Sequence, residues 1–387
     1  MPKVTTALYG DLMLLPQVAE LPIKEALAFY TDRQQAYDGS ESRIQLRTKP
    51  RQSFQFAIPI DTRTDSDTIN TLWGGLRKRC AVPVWTEAQY VGIVNEAATF
   101  ILCDTTSYDL RSDSLALIYN GCGQYQLLEI DTKSSDRITL STAVINKFRG
   151  AFLIPVRIGF IRGNVTKPTN GFSGKAQINF EVEDTIEIEP DVPEQYSLND
   201  IYYSAPLLDN GFVNTSYEQQ QDIVDFDIGP VQNRTSWLKA KIAKPYRSLL
   251  CTKEEIKAQK DFVRRRLGKL RPFWFPSFEN NLRIKNESLI VSTLPVAADS
   301  YIDYASNRLH VAIESGGNWY PRAISSPLVV DFETINLTLD LPLNLPAKSI
   351  TRISYLGLYR LDADSVEFNY NEPACVETNV RILEIAQ

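Results

Sequence analysis

The sequence predicts a mainly β protein: two related β-barrel or β-sandwich-like halves, each carrying one short helix. Three observations lead there. Short runs of alternating polar and apolar residues, rich in β-branched and aromatic side chains, fill most of the chain. Gly-bearing turn pairs separate the runs. One order of features occurs twice: hairpin, helix, Pro-apolar-Trp, several strands, and a Gly-centred strand before the last.

In the first part the strand-like runs are Arg43–Arg47, Ser53–Ile60, Ala98–Cys103, Tyr125–Ile130, Arg137–Leu140 and Ala176–Val182. In the second they are Leu289–Ser292, Arg308–Glu314, Leu328–Phe332 and Val376–Ile385. Asp38-Gly39, Asn120-Gly121, Asn170-Gly171, Asn210-Gly211 and Gly316-Gly317-Asn318 mark turns, where Gly and Asn tolerate positive φ. Eighteen Tyr, 17 Phe and 5 Trp supply the bulk that pleated sheets bury.

Two segments break this texture. Over 67–79, Ile69, Leu72, Trp73 and Leu76 share one face at helical spacing; Asp65 or Asp67 is the expected cap, and Gly74 and Gly75 keep the helix short. Over 253–270, Thr252 and Glu255 spell a capping box. Ile256, Val263, Leu267 and Leu270 form an apolar stripe, and Gly268 fits termination. Each helix precedes a Pro-apolar-Trp triplet, Pro83-Val84-Trp85 or Pro272-Phe273-Trp274. Each follows a Lys-Pro with a nearby Arg, Lys49-Pro50-Arg51 or Lys244-Pro245-Tyr246-Arg247. Ile158-Gly159-Phe160-Ile161-Arg162 matches Leu356-Gly357-Leu358-Tyr359-Arg360. The expectation is an internal duplication, with a first β-rich repeat over 1–205 and a second over 206–387. A length of 387 residues suits two such domains. The acidic, Pro-bearing stretch 187–214 is the expected linker or long surface loop between them.

Catalysis finds few footholds. The single histidine, His310, lies in an alternating run and reads as structural. Neither GxSxG, GxxxxGK[ST] nor GxGxxG occurs; Gly171-Phe172-Ser173-Gly174-Lys175 reads as a hairpin turn. Asp61, Asp65 and Asp67 miss the glycine of a calcium loop, and Asp65 and Asp67 read as helix-capping residues. Five cysteines, Cys80, Cys103, Cys122, Cys251 and Cys375, form no CxxC pair and are expected as reduced thiols. The expectation is therefore a non-enzyme with no cofactor and no metal. A carboxylate-based glycan hydrolase is the remote alternative, since 47 acids leave a pair available.

The formal net charge of −6 argues against a surface that grips DNA. No run approaches the ~18 apolar residues of a membrane span, and Met1–Leu15 lacks signal-peptide features. The densest basic cluster, Arg264, Arg265, Arg266, Lys269 and Arg271, is the expected contact patch for an acidic neighbouring subunit.

The stretch Ala36-Tyr37-Asp38-Gly39-Ser40-Glu41-Ser42-Arg43-Ile44-Gln45-Leu46-Arg47-Thr48-Lys49-Pro50-Arg51-Gln52 resembles the early region of tail-tip proteins of tailed bacteriophages. The Leu-Trp helix and Pro-Val-Trp are similar, as is the ending Arg360-Leu361-Asp362-Ala363-Asp364-Ser365-Val366-Glu367-Phe368. These stretches cover about a third of the chain. The resemblance implies a structural virion protein of the distal-tail, hub or baseplate-adaptor type, assembled in the host cytoplasm. Such a protein forms a ring that links the tail tube to baseplate or fibre proteins, with DNA only as passing cargo. Two halves per chain imply a trimer with pseudo-six-fold symmetry, with a hexameric ring as the rival. A tail-borne carbohydrate- or receptor-binding module, with Trp319 and Tyr320 as stacking platforms, is the alternative.

Overall fold

A computed structural model describes residues 3–72, 78–121, 123–170, 173–183, 188–208, 213–237, 240–285, 288–299, 301, 305, 308–372 and 375–385. Strands account for 53% of the structure and helices for 9%, so the fold is mainly β, built of large antiparallel sheets. No closed barrel is found among the described residues.

Ten strands and two helices frame the molecule. They are β1 (Glu20–Ala28), β2 (Arg51–Ile60), α1 (Arg63–Thr71), β3 (Cys80–Pro83), β4 (Phe148–Ile161), β5 (Ser173–Val182), β6 (Lys241–Leu250), α2 (Lys253–Arg266), β7 (Phe273–Pro276), β8 (Ile350–Leu361), β9 (Ser365–Glu372) and β10 (Cys375–Glu384).

The strands form where side chains alternate. In β2, Phe54, Phe56, Ile58 and Ile60 point inward, and in β5 Ala176, Ile178 and Phe180 do the same. Each large apolar side chain so buried stabilises the fold by roughly 1.5–3 kcal/mol.

The same set of pairings occurs in each half. β2 leads through α1 to β3; β4 pairs with β3 (Gly159 opposite Cys80) and with β5 (Gly159 opposite Val182), and β5 returns along β2 (Phe180 opposite Phe54). β6 leads through α2 to β7; β8 pairs with β7 (Tyr359 opposite Phe273) and with β10 (Tyr359 opposite Glu384), and β10 returns along β6 (Val380 opposite Tyr246). Both helices open on a capping box. Thr62 accepts from Asp65 N at φ −122°, ψ 159°, and Thr252 accepts from Glu255 N at φ −122°, ψ 158°.

β1 joins the two halves. Glu25 lies opposite Phe54 of β2 on one side and Phe368 of β9 on the other, and β9 pairs with β10. One antiparallel sheet therefore runs β5–β2–β1–β9–β10–β6. A single apolar cluster crosses it, with Leu27, Phe54 and Phe180 packed alongside Tyr246, Phe262, Phe368 and Val380.

Each half carries an insertion with its own core. Between β3 and β4 lies a meander packed around Ile118, Leu128, Ile138 and Phe148. Between β7 and β8 lies another, around Leu294, Val311, Ile313 and Leu337. β4 and β8 belong to both layers: Leu153 pairs with Ile118 and Ile353 with Ile313, while their later residues enter the central sheet.

Some expectations shift. α1 begins at Arg63, ahead of the expected 67, because Thr62 rather than Asp65 or Asp67 is the cap; Asp65 is its reciprocal partner. Ile69 and Leu72 face the core, whereas Trp73 to Leu76 lie outside the described residues. α2 stops at Arg266, where Leu267 (φ 52°) and Gly268 (φ 71°) turn left-handed. The repeated motifs are not equivalent by position. Pro245 lies inside β6 but Pro50 precedes β2, and Pro83 and Pro276 occupy matching strand ends while Pro272 does not. Gly357 opposes Phe275, so Tyr359 takes the place Gly159 holds. Of the expected linker, residues 195–207 dock on the second half: Tyr202 N donates to Trp274 O, Trp274 Nε1 to Tyr196 O, and Leu207 N to Arg247 O.

Candidate functional site: a basic cleft and two projecting arms

α2 packs where the halves meet, and four of its polar residues, Gln259, Lys260, Asp261 and Arg266, are buried. Lys260 reaches Oε2 of Glu25 at 2.8 Å and Oε1 of Glu87 at 3.1 Å. Gln52 Nε2 (2.7 Å) and Tyr370 Oη (3.0 Å) also donate to Glu25. Burial would raise the Glu25 carboxyl, but Lys260 overcomes it and holds the group below the ordinary carboxylate range.

The last turn of α2 carries Arg264, Arg265 and Arg266, well placed against the negative end of the helix dipole. Arg265 makes a fork with Asp200 at 2.7 and 2.8 Å. Arg266 is buried, pairs with the same carboxylate and donates to Pro272 O. Arg264 lies 3.2 Å from Asp261. Lys269 donates its backbone N–H to Asp364, and Arg271 is exposed.

Of the five residues expected as a contact patch, the structure brings Arg264, Arg265 and Arg271 together on one cleft of about 450 Å³. Arg266, which is buried, and Lys269 are not among its lining residues. Lys49 and Arg111, distant in sequence, complete the basic rim over an apolar floor that includes Leu27, Leu267 and Pro190. No carboxylate lines this cleft among the described residues. Arg111 is oriented by Asp109, which also pairs with buried Arg157 at 2.6 Å. Burial would raise Asp109, but Arg157 and Arg111 hold it well below the usual range. Lys49 stood in the sequence only as part of a Lys-Pro, and nothing local pointed to Arg111.

Two hairpins expose apolar side chains near their turns. One pairs Asp222–Val224 with Gln232–Arg234 and exposes Ile223, Phe226, Ile228 and Val231 beside Asp225 and Asp227. Its base is fixed: Tyr37 Oη donates to Asp222 at 2.7 Å, Ser236 donates to Tyr37 O, and the Trp237 ring lies against Gly39, where a Cβ would meet it at 3.1 Å. Beneath it, Glu41 holds Lys241 at 3.0 Å and Arg360 at 2.8 Å. The other pairs Ile324–Val329 with Ile335–Leu339 and exposes Leu328, Val330 and Phe332, the last 89% exposed.

The histidine and the expected stacking platform both have partners. His310 Nδ1 meets Tyr196 Oη at 3.0 Å beside the Trp274 ring, and burial lowers its pKa. Trp319 stacks on Tyr203 and has Arg352 over its ring. Among the described residues no group of His, Cys, Asp and Glu side chains is arranged to hold a metal ion, and no helix is long and apolar enough to cross a membrane. Comparison with protein-family models and with curated proteins gave no match.

Proposed function

We propose that this protein is a structural, ring-forming component of a phage tail tip, joining tail tube to baseplate or fibres around a channel for DNA. The observation that carries the reading is the recurrence of one strand–helix–strand pairing pattern in both halves of a continuous sheet. On this reading the halves descend from an internal duplication. Three chains then present six similar units, a natural adaptor between six-fold and three-fold neighbours.

The arms and the cleft fit the same reading. The tip Asp225-Phe226-Asp227-Ile228 is acidic and apolar, and the cleft is basic with an apolar floor. The arm of one copy entering the cleft of the next joins complementary chemistry in a fixed register. The function this implies is mechanical: positioning, edge covering and channel formation, without bond chemistry.

The test is the mass of the assembled protein together with a negative-stain image. The expected result is three chains in a ring with six similar lobes. A stable monomer at tens of micromolar, or six chains with two kinds of lobe, overturns the trimeric adaptor.

A further inference from the structure

Four described cysteines divide into two kinds. Cys80 and Cys103 are buried, and burial pushes each thiol up to about 11. They are poor nucleophiles at neutral pH. Cys251 is exposed and Cys375 half-buried. Both sit at one end of the β6–β10 ladder. That ladder ends on Leu250 opposite Val376, so the next residues across the pair are Cys251 and Cys375. Their thiols lie within hydrogen-bonding reach of each other.

We propose that Cys251 and Cys375 are a modification site: a cross-strand dithiol that a small-molecule disulfide of the glutathione class oxidises to an intrachain disulfide. The exposed Cys251 thiolate attacks one sulfur of the oxidant, giving a mixed disulfide and releasing one thiolate. The Cys375 thiolate then attacks the Cys251 sulfur, forming the intrachain bond and releasing the second thiolate. The two protons lost by the protein thiols pass to the two released thiolates, and two electrons pass to the oxidant. Opposed residues of an antiparallel pair have Cα atoms about 4.5–5.5 Å apart, which is inside the span a disulfide accepts.

The site is placed where a bond has consequences. Cys251 immediately precedes the α2 cap Thr252, and its backbone N–H donates to Glu255 at 2.9 Å. Cys375 is the first residue of β10, the strand that pairs with β6, β8 and β9. Bridging them fixes the start of α2 to the β9–β10 hairpin and closes most of the second half into one loop. Long closed loops gain most from a cross-link in the chain-entropy view. A protein folded in a reducing compartment and released into an oxidising one is then locked after folding.

The experiment equilibrates the folded full-length protein with oxidised glutathione, quenches free thiols by alkylation, and maps the fragments by mass. Expected is a fragment pair joined through Cys251 and Cys375, lost on reduction, with Cys80 and Cys103 alkylated only after unfolding. The Tm is expected to rise by about 5 °C on oxidation. In Cys375→Ser, Cys251 keeps a glutathione adduct instead. Both cysteines still alkylatable after equilibration overturn the proposal, as does a persistent adduct on Cys251 in the unaltered protein.

Discussion

The Lys260 ammonium of α2 lies 2.8 Å from the Glu25 carboxylate of β1, with both side chains at least 95% buried. This ion pair ties the helix of the second half to the strand shared by both. Removing one partner strands a charge in an apolar cluster. Lys260→Ala is expected to cost about 3–5 kcal/mol in urea unfolding. Glu25→Gln is expected to cost less, because Lys260 keeps Glu87 at 3.1 Å. The reverse ranking contradicts this account of the seam.

Acid should loosen the base of the first arm. Burial would raise Glu41, but Arg360 and Lys241 pull it down to about 2 from an ordinary 4.5. A depressed carboxylate contributes stability that is complete above its unfolded pKa and disappears as pH falls through its folded one. The Tm difference between the unaltered protein and Glu41→Gln is therefore expected to be constant above about pH 5 and to shrink steadily toward pH 2. A difference independent of pH across that window contradicts it.

Gly159 is fixed by lack of room. A Cβ there would overlap the backbone carbonyl of Glu181 across the β4–β5 pair and crowd the Phe180 ring. Gly159→Ala is expected to destabilise by about 3 kcal/mol, since the obstacle is backbone and cannot rotate aside. Its counterpart by pairing is Tyr359, a large buried side chain, so the two halves differ at this position. Differential scanning calorimetry of the variant checks the cost.

Assembly and folding should separate at the arm. Phe226→Ser replaces a side chain that is 76% exposed, so Tm is expected to hold while association weakens about ten-fold or more. Arg271→Glu, on the rim of the cleft, is expected to slow association at low salt and to matter little at about 0.5 M. Sedimentation velocity across salt reads both, and an unaltered assembly in both variants removes the arm-into-cleft contact.

The strand-rich class and the second capping box were legible because both are local. Alternation declares a two-faced strand, and Thr252 lies three residues from Glu255. The joining of the halves was not, because the partner of β1 on one side is β9, hundreds of residues away, and any alternating strand could have taken the place. The basic cluster read as a contact patch for another subunit because spacing cannot tell which carboxylates of the same chain, here Asp200 and Asp261, will fold onto a helix. One clue was present. Glu25 occupies the inward position between Ile23 and Leu27, where an acid must find a buried cation. α1 was displaced because Thr62 and Asp65 follow the reciprocal capping pattern with Asp in the place usually held by Glu.

The position of β1 also orders events during synthesis. A ribosome delivers β1 and β2 early, so that pairing can form while the chain is still growing. β9 follows hundreds of residues later, and until then one side of β1 offers unpaired backbone groups to any strand nearby. A nascent or truncated chain therefore carries an open edge in its middle, and neighbouring ribosomes on one message hold several such edges close together. Completion of the sheet waits for β9 and β10, and a chain stalled before them is the form most exposed to pairing with the wrong copy.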